Sequence, residues 1–173
     1  MANSPKKIFL VDDDKNNTDM LKMHLSKKFN LEILTFSTGE DCLNNLGLNP
    51  QYIVLDYQLN TVQKDAANGI EILKKIKAAM PDVYVIFLSG QDKIEVAVDT
   101  VKYGAYDYVV KNQSSFLRLE NCLINIHKNL KLQRSNKTYK YSTFILAAVI
   151  VLIIITAIVL VKMGVATNSP SWL

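Results

Sequence analysis

Short apolar runs alternate with amphipathic segments along the first 134 residues. The runs KIFLV (7–11), LEILTF (31–36), YIVLD (52–56), VYVIFLS (83–89) and YDYVV (106–110) are rich in β-branched and aromatic side chains. Most are continuously apolar, as in parallel strands buried on both faces. Between them apolar residues recur at helical spacing. Residues 15–28 carry Met20, Leu21 and Leu25, and 39–47 form a shorter segment. Residues 69–80 carry Ile70, Leu73, Ile76 and Met80; residues 93–102 carry Ile94, Ala97, Val98 and Val101. Residues 114–134 carry Phe116, Leu119, Leu123, Ile126 and Leu130. Five βα units predict an α/β domain, a parallel sheet with right-handed crossovers and helices on both faces.

A different pattern follows. Ser142 to Val161 is a run of 20 residues without a charge. As a helix it spans about 30 Å, the thickness of a bilayer's hydrocarbon core. A chain of 173 residues is too small to wrap such a helix in protein, so the run is expected to cross a membrane. Its N-terminal flank carries Lys128, Lys131, Arg134, Lys137 and Lys140, and the other side only Lys162. The positive-inside tendency places the preceding domain in the cytoplasm and the C-terminus outside. Tyr139, Tyr141 and Trp172 suit the two interfaces. The expected organisation is a disordered start (1–5), a domain (6–130), a basic linker (131–141), a transmembrane helix (142–161) and a short outer tail (162–173).

Charge sharpens this division. Residues 1–113 carry 13 Lys/Arg against 15 Asp/Glu; residues 114–173 carry seven Lys/Arg and one acid, Glu120. The basic excess lies beside the apolar run, which points to membrane lipid and away from nucleic acid as its partner. Cys42 and Cys122 lack metal-ligand spacing and read as reduced, buried thiols. The N-terminus has too short an apolar stretch for a signal peptide. His24 and His127 fall on helices and read as surface or edge histidines without partners.

In an open parallel sheet, sites form beyond the carboxyl ends of the strands. The first strand ends in Asp12 and Asp13, the third in Asp56 and the fourth in Ser89; Lys111 follows the fifth. Carboxylates crowded at one rim repel unless a cation sits among them, and a hard divalent ion such as Mg²⁺ suits oxygen ligands. A carboxylate beside Mg²⁺ is a candidate nucleophile toward phosphorus, with lysine offsetting charge on the transferring group. Asp14 reads instead as a carboxylate at the start of the first helix.

The motifs FLVDDDK, YIVLDYQL, VIFLSG and YGAYDYVVKN resemble the receiver (CheY-like) domain of bacterial two-component response regulators, over roughly residues 6–130. The resemblance implies a flavodoxin-like (βα)5 doubly wound sheet of strand order 2-1-3-4-5. It makes Asp56 the phosphoacceptor and gives Mg²⁺ to Asp12, Asp13, Asp56 and the backbone carbonyl of Gln58. Lys111 becomes the phosphoryl-binding lysine, Ser89 and Tyr108 the switch pair, and Gln58 and Gln91 the positions that tune phosphate lifetime. Two departures stand out. Asn112 follows Lys111 where the family usually has a cis proline, leaving that peptide cis or trans. The loop after Asp56 lacks a proline and runs about five residues longer than usual before Gly69.

The implied function is that of a membrane-tethered response regulator, phosphorylated by a histidine kinase, a phosphotransfer protein or a small phosphodonor. It would not be an enzyme, promoting only its own phosphorylation and dephosphorylation. The signal would pass through the face formed by helix 93–102, strand 106–110 and helix 114–134, to an unknown output protein or into a homodimer seeded by Leu117 and Ile124. The alternative is a phosphorylation-independent, membrane-anchored adaptor that uses the receiver fold as a docking surface.

Overall fold

Five parallel strands build one sheet in the order β2-β1-β3-β4-β5. They are β1 (Lys6–Val11), β2 (Leu31–Phe36), β3 (Tyr52–Asp56), β4 (Tyr84–Ser89) and β5 (Asp107–Val110). The helices are α1 (Lys15–Lys28), α2 (Gly39–Asn44), α3 (Gly69–Ala79), α4 (Ile94–Lys102) and α5 (Ser115–Thr167). This computed structural model describes residues 5–59, 68–90 and 94–167, but not the side chains of 94, 133–143 and 163–167. Most of the expected disordered start, most of the long loop after Asp56, Gln91, residues 168–173 of the expected outer tail with Trp172, and the side chains of Tyr139 and Tyr141 lie outside the described residues, while residues 162–167, expected as tail, continue α5. The chain divides into two units, residues 1–126 and 127–173.

Continuous apolar strands make a sheet that must be covered on both faces. All five residues of β3 are buried, as are Phe9, Leu10, Val85 and Phe87 on its neighbours. Alternation then divides the strands between two layers. Phe9, Ile53, Leu55, Val85 and Phe87 join Ile72, Leu73 and Ile76 of α3 in one cluster. Each such fully buried side chain contributes about 1.5–3 kcal/mol of transfer free energy. The edge strand β2 is only partly covered, with Glu32 and Thr35 exposed.

Helix boundaries follow from capping chemistry. Asp14 caps α1 by accepting from the Asn16 N–H, Thr38 caps α2 through Asp41, and Asn68 caps α3 through Glu71. The expected helix over 39–47 breaks after Asn44 into a 3₁₀ turn over Leu46–Leu48. Asn49 closes that turn at φ 58°, a left-handed conformation asparagine tolerates. In α1 the apolar pattern overreaches: Leu21 and Leu25 are buried, but Met20 is 54% exposed. Val98 and Val101 of α4 are likewise exposed. Both cysteines are buried and free, and burial pushes each thiol up to about 12; Asp107, accepting from the Cys122 thiol at 3.0 Å, adds to the second.

His24 departs from the expectation. It is half-buried, its Nε2 lies 3.2 Å from Glu120 Oε2, and its ring packs on Phe116 at 5.5 Å. Lys28 reaches the other Glu120 oxygen at 3.4 Å. Glu120 is 96 residues from His24 along the chain, so no local pattern announces the contact. In the second unit, Phe144–Lys162 is a 19-residue helical stretch of mean hydropathy 3.5, long and apolar enough to cross a membrane.

Gly69 opens α3 in a tight place. A Cβ there would lie 2.5 Å from the Asp56 carbonyl oxygen and 2.9 Å from Phe87 Cζ. Gly69→Ala is expected to destabilise the domain by about 1–3 kcal/mol in urea unfolding. Gly47→Ala, where a Cβ meets nothing within 4 Å, should stay within about 0.5 kcal/mol of the parent.

Candidate functional site

The order of the sheet reverses beside β1, with β2 on one side and β3 on the other. Val11 pairs with Leu55, so β1 and β3 end level and the residues after them share one rim. Backbone hydrogen bonds fix that rim. The Asp12 N–H donates to the Phe36 carbonyl at 3.1 Å, Tyr57 to Leu88 at 2.8 Å and Lys111 to Ser89 at 2.7 Å. Asp12, Asp13, Asp56, Ser89 and Lys111 therefore stand where a strand has just ended or is ending.

Asp12 and Asp56 are buried, at 7% and 4% exposure, and Asp13 is half-buried. One carboxylate oxygen from each of Asp12, Asp13 and Asp56 lies within 4.8 Å of the others. Lys111 Nζ donates to Asp12 Oδ2 at 2.8 Å and stands 2.8 Å from Asp56 Oδ2. Asp12 Oδ1 accepts from the Asp14 N–H at 2.9 Å. One ammonium thus serves both buried carboxylates of the group.

Burial of these charges shows in the electrostatics. Burial pushes the Asp56 carboxyl up to about 6. Lys111 opposes this shift and Asp12 reinforces it, while the Gln58 backbone N–H lends minor help to the carboxylate. Lys111 is pulled down by burial, yet Asp56 and Asp12 outweigh that and hold it above the ordinary ammonium range. Asp56 Oδ1 is buried with no hydrogen-bond partner among the described residues. A buried acceptor without a donor is costly unless something positive reaches it. Three carboxylates that offer hard oxygen donors, one of them with an oxygen still unpartnered, suit Mg²⁺, and the residues present fit that ion.

The remaining expected residues surround this centre. Ser89 is fully buried at the end of β4, in register with Val110. Tyr108 is buried on β5 within the α3-side cluster. Gln58 is half-buried two residues past Asp56, and Gln91 lies outside the described residues. The Lys111–Asn112 peptide is trans. Asn112 instead organises the start of α5: its Oδ1 accepts from the Ser114 N–H at 2.9 Å, and its carbonyl accepts from Ser115 Oγ at 2.8 Å. Side-chain capping stands where a ring would have fixed the backbone.

Two features of the rim escaped the sequence pattern. Lys111 bridges Asp12 as well as Asp56, and Gly69 lets α3 approach the Asp56 backbone. A lone glycine at a helix start was the available signal for the second. The bridge had none, because its ends are 99 residues apart.

The family model for the response regulator receiver domain matches residues 8–119. The transcriptional regulatory protein CssR of Bacillus subtilis is 33% identical over 125 residues, covering 72% of this chain and 51% of CssR. The photosynthetic apparatus regulatory protein RegA of Rhodobacter capsulatus is 33% identical over 110 residues, covering 62% of this chain and 56% of RegA. The chain thus spans about half the length of these curated relatives. The BeF3-activated receiver domain of DrrB, a Thermotoga maritima protein, is 32% identical, with a TM-score of 0.59 over 69% of this chain and 97% of that one.

The raised Asp56 value makes stability depend on pH. Without divalent ions, the folded state holds a proton on Asp56 that the unfolded chain releases near pH 4. Stability should fall as pH rises from about 4 through 6, by at most about 3 kcal/mol, then level off. Asp56→Asn should remove that fall, and Mg²⁺ at pH 7 should restore stability to the parent only. Urea midpoints across pH, with and without Mg²⁺, check both outcomes.

Proposed function

Because the chain belongs to the response regulator receiver family, we propose that Asp56 accepts a phosphoryl group and that the chain signals from a membrane. Receiver domains are phosphoacceptors of two-component systems that bind Mg²⁺ at an acidic pocket and meet histidine kinases or phosphotransfer proteins. The observation that carries the reading is the pair of 2.8 Å contacts from Lys111 to Asp12 and Asp56, inside a group of three carboxylates.

In this reading Asp12, Asp13, one Asp56 oxygen and the Gln58 carbonyl hold Mg²⁺, which when bound offsets charge on the phosphoryl oxygens. The other Asp56 oxygen attacks phosphorus. A bond from phosphorus to Asp56 forms as the bond to the donor's imidazole nitrogen or carboxylate oxygen breaks, and the donor leaves with that electron pair. Lys111 stays beside the transferred group. Ser89 turns toward it, Tyr108 holds its inward position, and Gln58 and Gln91 tune access of water. The chain promotes only its own phosphorylation and its loss.

Output passes through α4, β5 and the receiver part of α5. Exposed Val98 and Val101 on α4 and Leu117 and Ile124 on α5 favour a protein contact there, with an output protein or a second copy. The exposed helix Phe144–Lys162 supports a single-pass anchor with the receiver in the cytoplasm, a basic linker over 131–141 and the C-terminal side outside. Tethering raises the effective concentration of membrane partners.

Acetyl phosphate with Mg²⁺ should shift the protein on a phosphate-affinity gel, whereas Asp56→Asn and Mg²⁺-depleted protein should not move. Absence of a shift in every sample would favour the adaptor. Separately, the full chain is expected to remain with membranes through an alkaline carbonate wash; release into the supernatant would refute the anchor.

A further inference from the structure

Charge is sorted between the two edges of the receiver domain. The edge where strands end carries acidic first turns in three helices, Glu40 and Asp41 in α2, Glu71 in α3 and Glu95 in α4, while α1 opens there on Lys15. The opposite edge carries their basic last turns: Lys27 and Lys28 in α1, Lys77 in α3 and Lys102 in α4. Helix dipoles favour that arrangement. They do not ask for Lys6 and Lys7, which begin a strand on the same basic edge. The carboxylates that meet it are fewer: Glu32, 4.0 Å from Lys7; Glu120, 3.4 Å from Lys28; exposed Asp82; and Asp107, 3.7 Å from Arg118.

Tyrosines gather on this edge too. Tyr52, Tyr84 and Tyr106 stand at the starts of three neighbouring strands, with ring centroids 6.4 and 5.6 Å apart, and Tyr106 is 38% exposed. Lysine beside partly exposed tyrosine is the composition of a water–lipid boundary. Between Lys6, Lys7, Asn49 and Gln51 lies a hollow of about 460 Å³. Gln51 in its lining keeps a buried Oε1 without a hydrogen-bond partner among the described residues.

The route of the chain selects the occupant. Within the receiver, α5 starts at the phosphoacceptor rim, with Ser115 bonded to Asn112, and runs to Asp107 at the start of β5, which Cys122 meets. Residues 127–143 then lead to the apolar stretch that begins at Phe144.

We propose that this lysine- and tyrosine-bearing edge docks on anionic phospholipid headgroups of the membrane that the apolar helix enters, turning the phosphoacceptor rim toward water. The inference rests on the membrane anchor proposed above. The edges are about 20 Å apart, the length of the 14-residue α1, so a spectroscopic ruler separates them. Ser26→Cys places a dye at the basic edge and Ser37→Cys one at the rim; both serines are exposed, and the native thiols are buried.

The labelled full chain is reconstituted in vesicles whose headgroups carry an energy-transfer acceptor. With phosphatidylglycerol present, transfer from position 26 should exceed that from position 37 by roughly twofold or more, and the two should converge in pure phosphatidylcholine or at high salt. The variant K6Q/K7Q/K27Q, checked for folding by circular dichroism, should lose the excess. Equal transfer from both positions in phosphatidylglycerol, or an excess indifferent to lipid charge and salt, overturns the docking surface while the anchor stands. A folded variant that keeps the full excess does the same. A chain that fails to float with vesicles overturns anchor and docking surface together.

Discussion

One ammonium group shared between two buried carboxylates governs this domain's rim. Lys111 bonds Asp12 and Asp56 at 2.8 Å, and a third acid, Asp13, stands beside them. Charge on Asp56 is costly in a partly dry site. The rim is therefore under electrostatic load: burial raises the Asp56 carboxyl, with Lys111 opposing and Asp12 reinforcing, and one of its oxygens has no hydrogen-bond partner among the described residues. A cation or a change of charge at Asp56 relieves or redistributes that load. The fold holds the acids together regardless, because the strands bearing them are locked side by side by the buried core.

That division of labour explains what the sequence makes legible. The five apolar runs appear as five strands, and the strand order expected from the receiver resemblance is the order observed. Residues expected at the rim, from Asp12 to Lys111, stand at strand ends because period and position along the chain determine where a strand stops. Asp14 caps its helix as its place after an apolar run suggests.

What stayed hidden depends on distance along the chain or on local competition. The second helix ends early because Asn45 and Asn49 offer turn conformations that apolar spacing does not register. His24 meets Glu120 only after α1 and α5 have folded onto the same side of the sheet. The exposure of Met20, Val98 and Val101 reflects how little of each helix the sheet can cover. Asn112 shows that a departure from a family pattern can have its own solution: hydrogen bonds to Ser114 and Ser115 start α5 without proline.

The two cysteines carry a consequence for the chemistry this chain can host. Each thiol is buried and held protonated far above neutral pH, Cys42 by its apolar surroundings and Cys122 by burial and the Asp107 carboxylate. Oxidants attack thiolates, so neither sulfur offers a ready foothold to peroxide or to disulfide exchange.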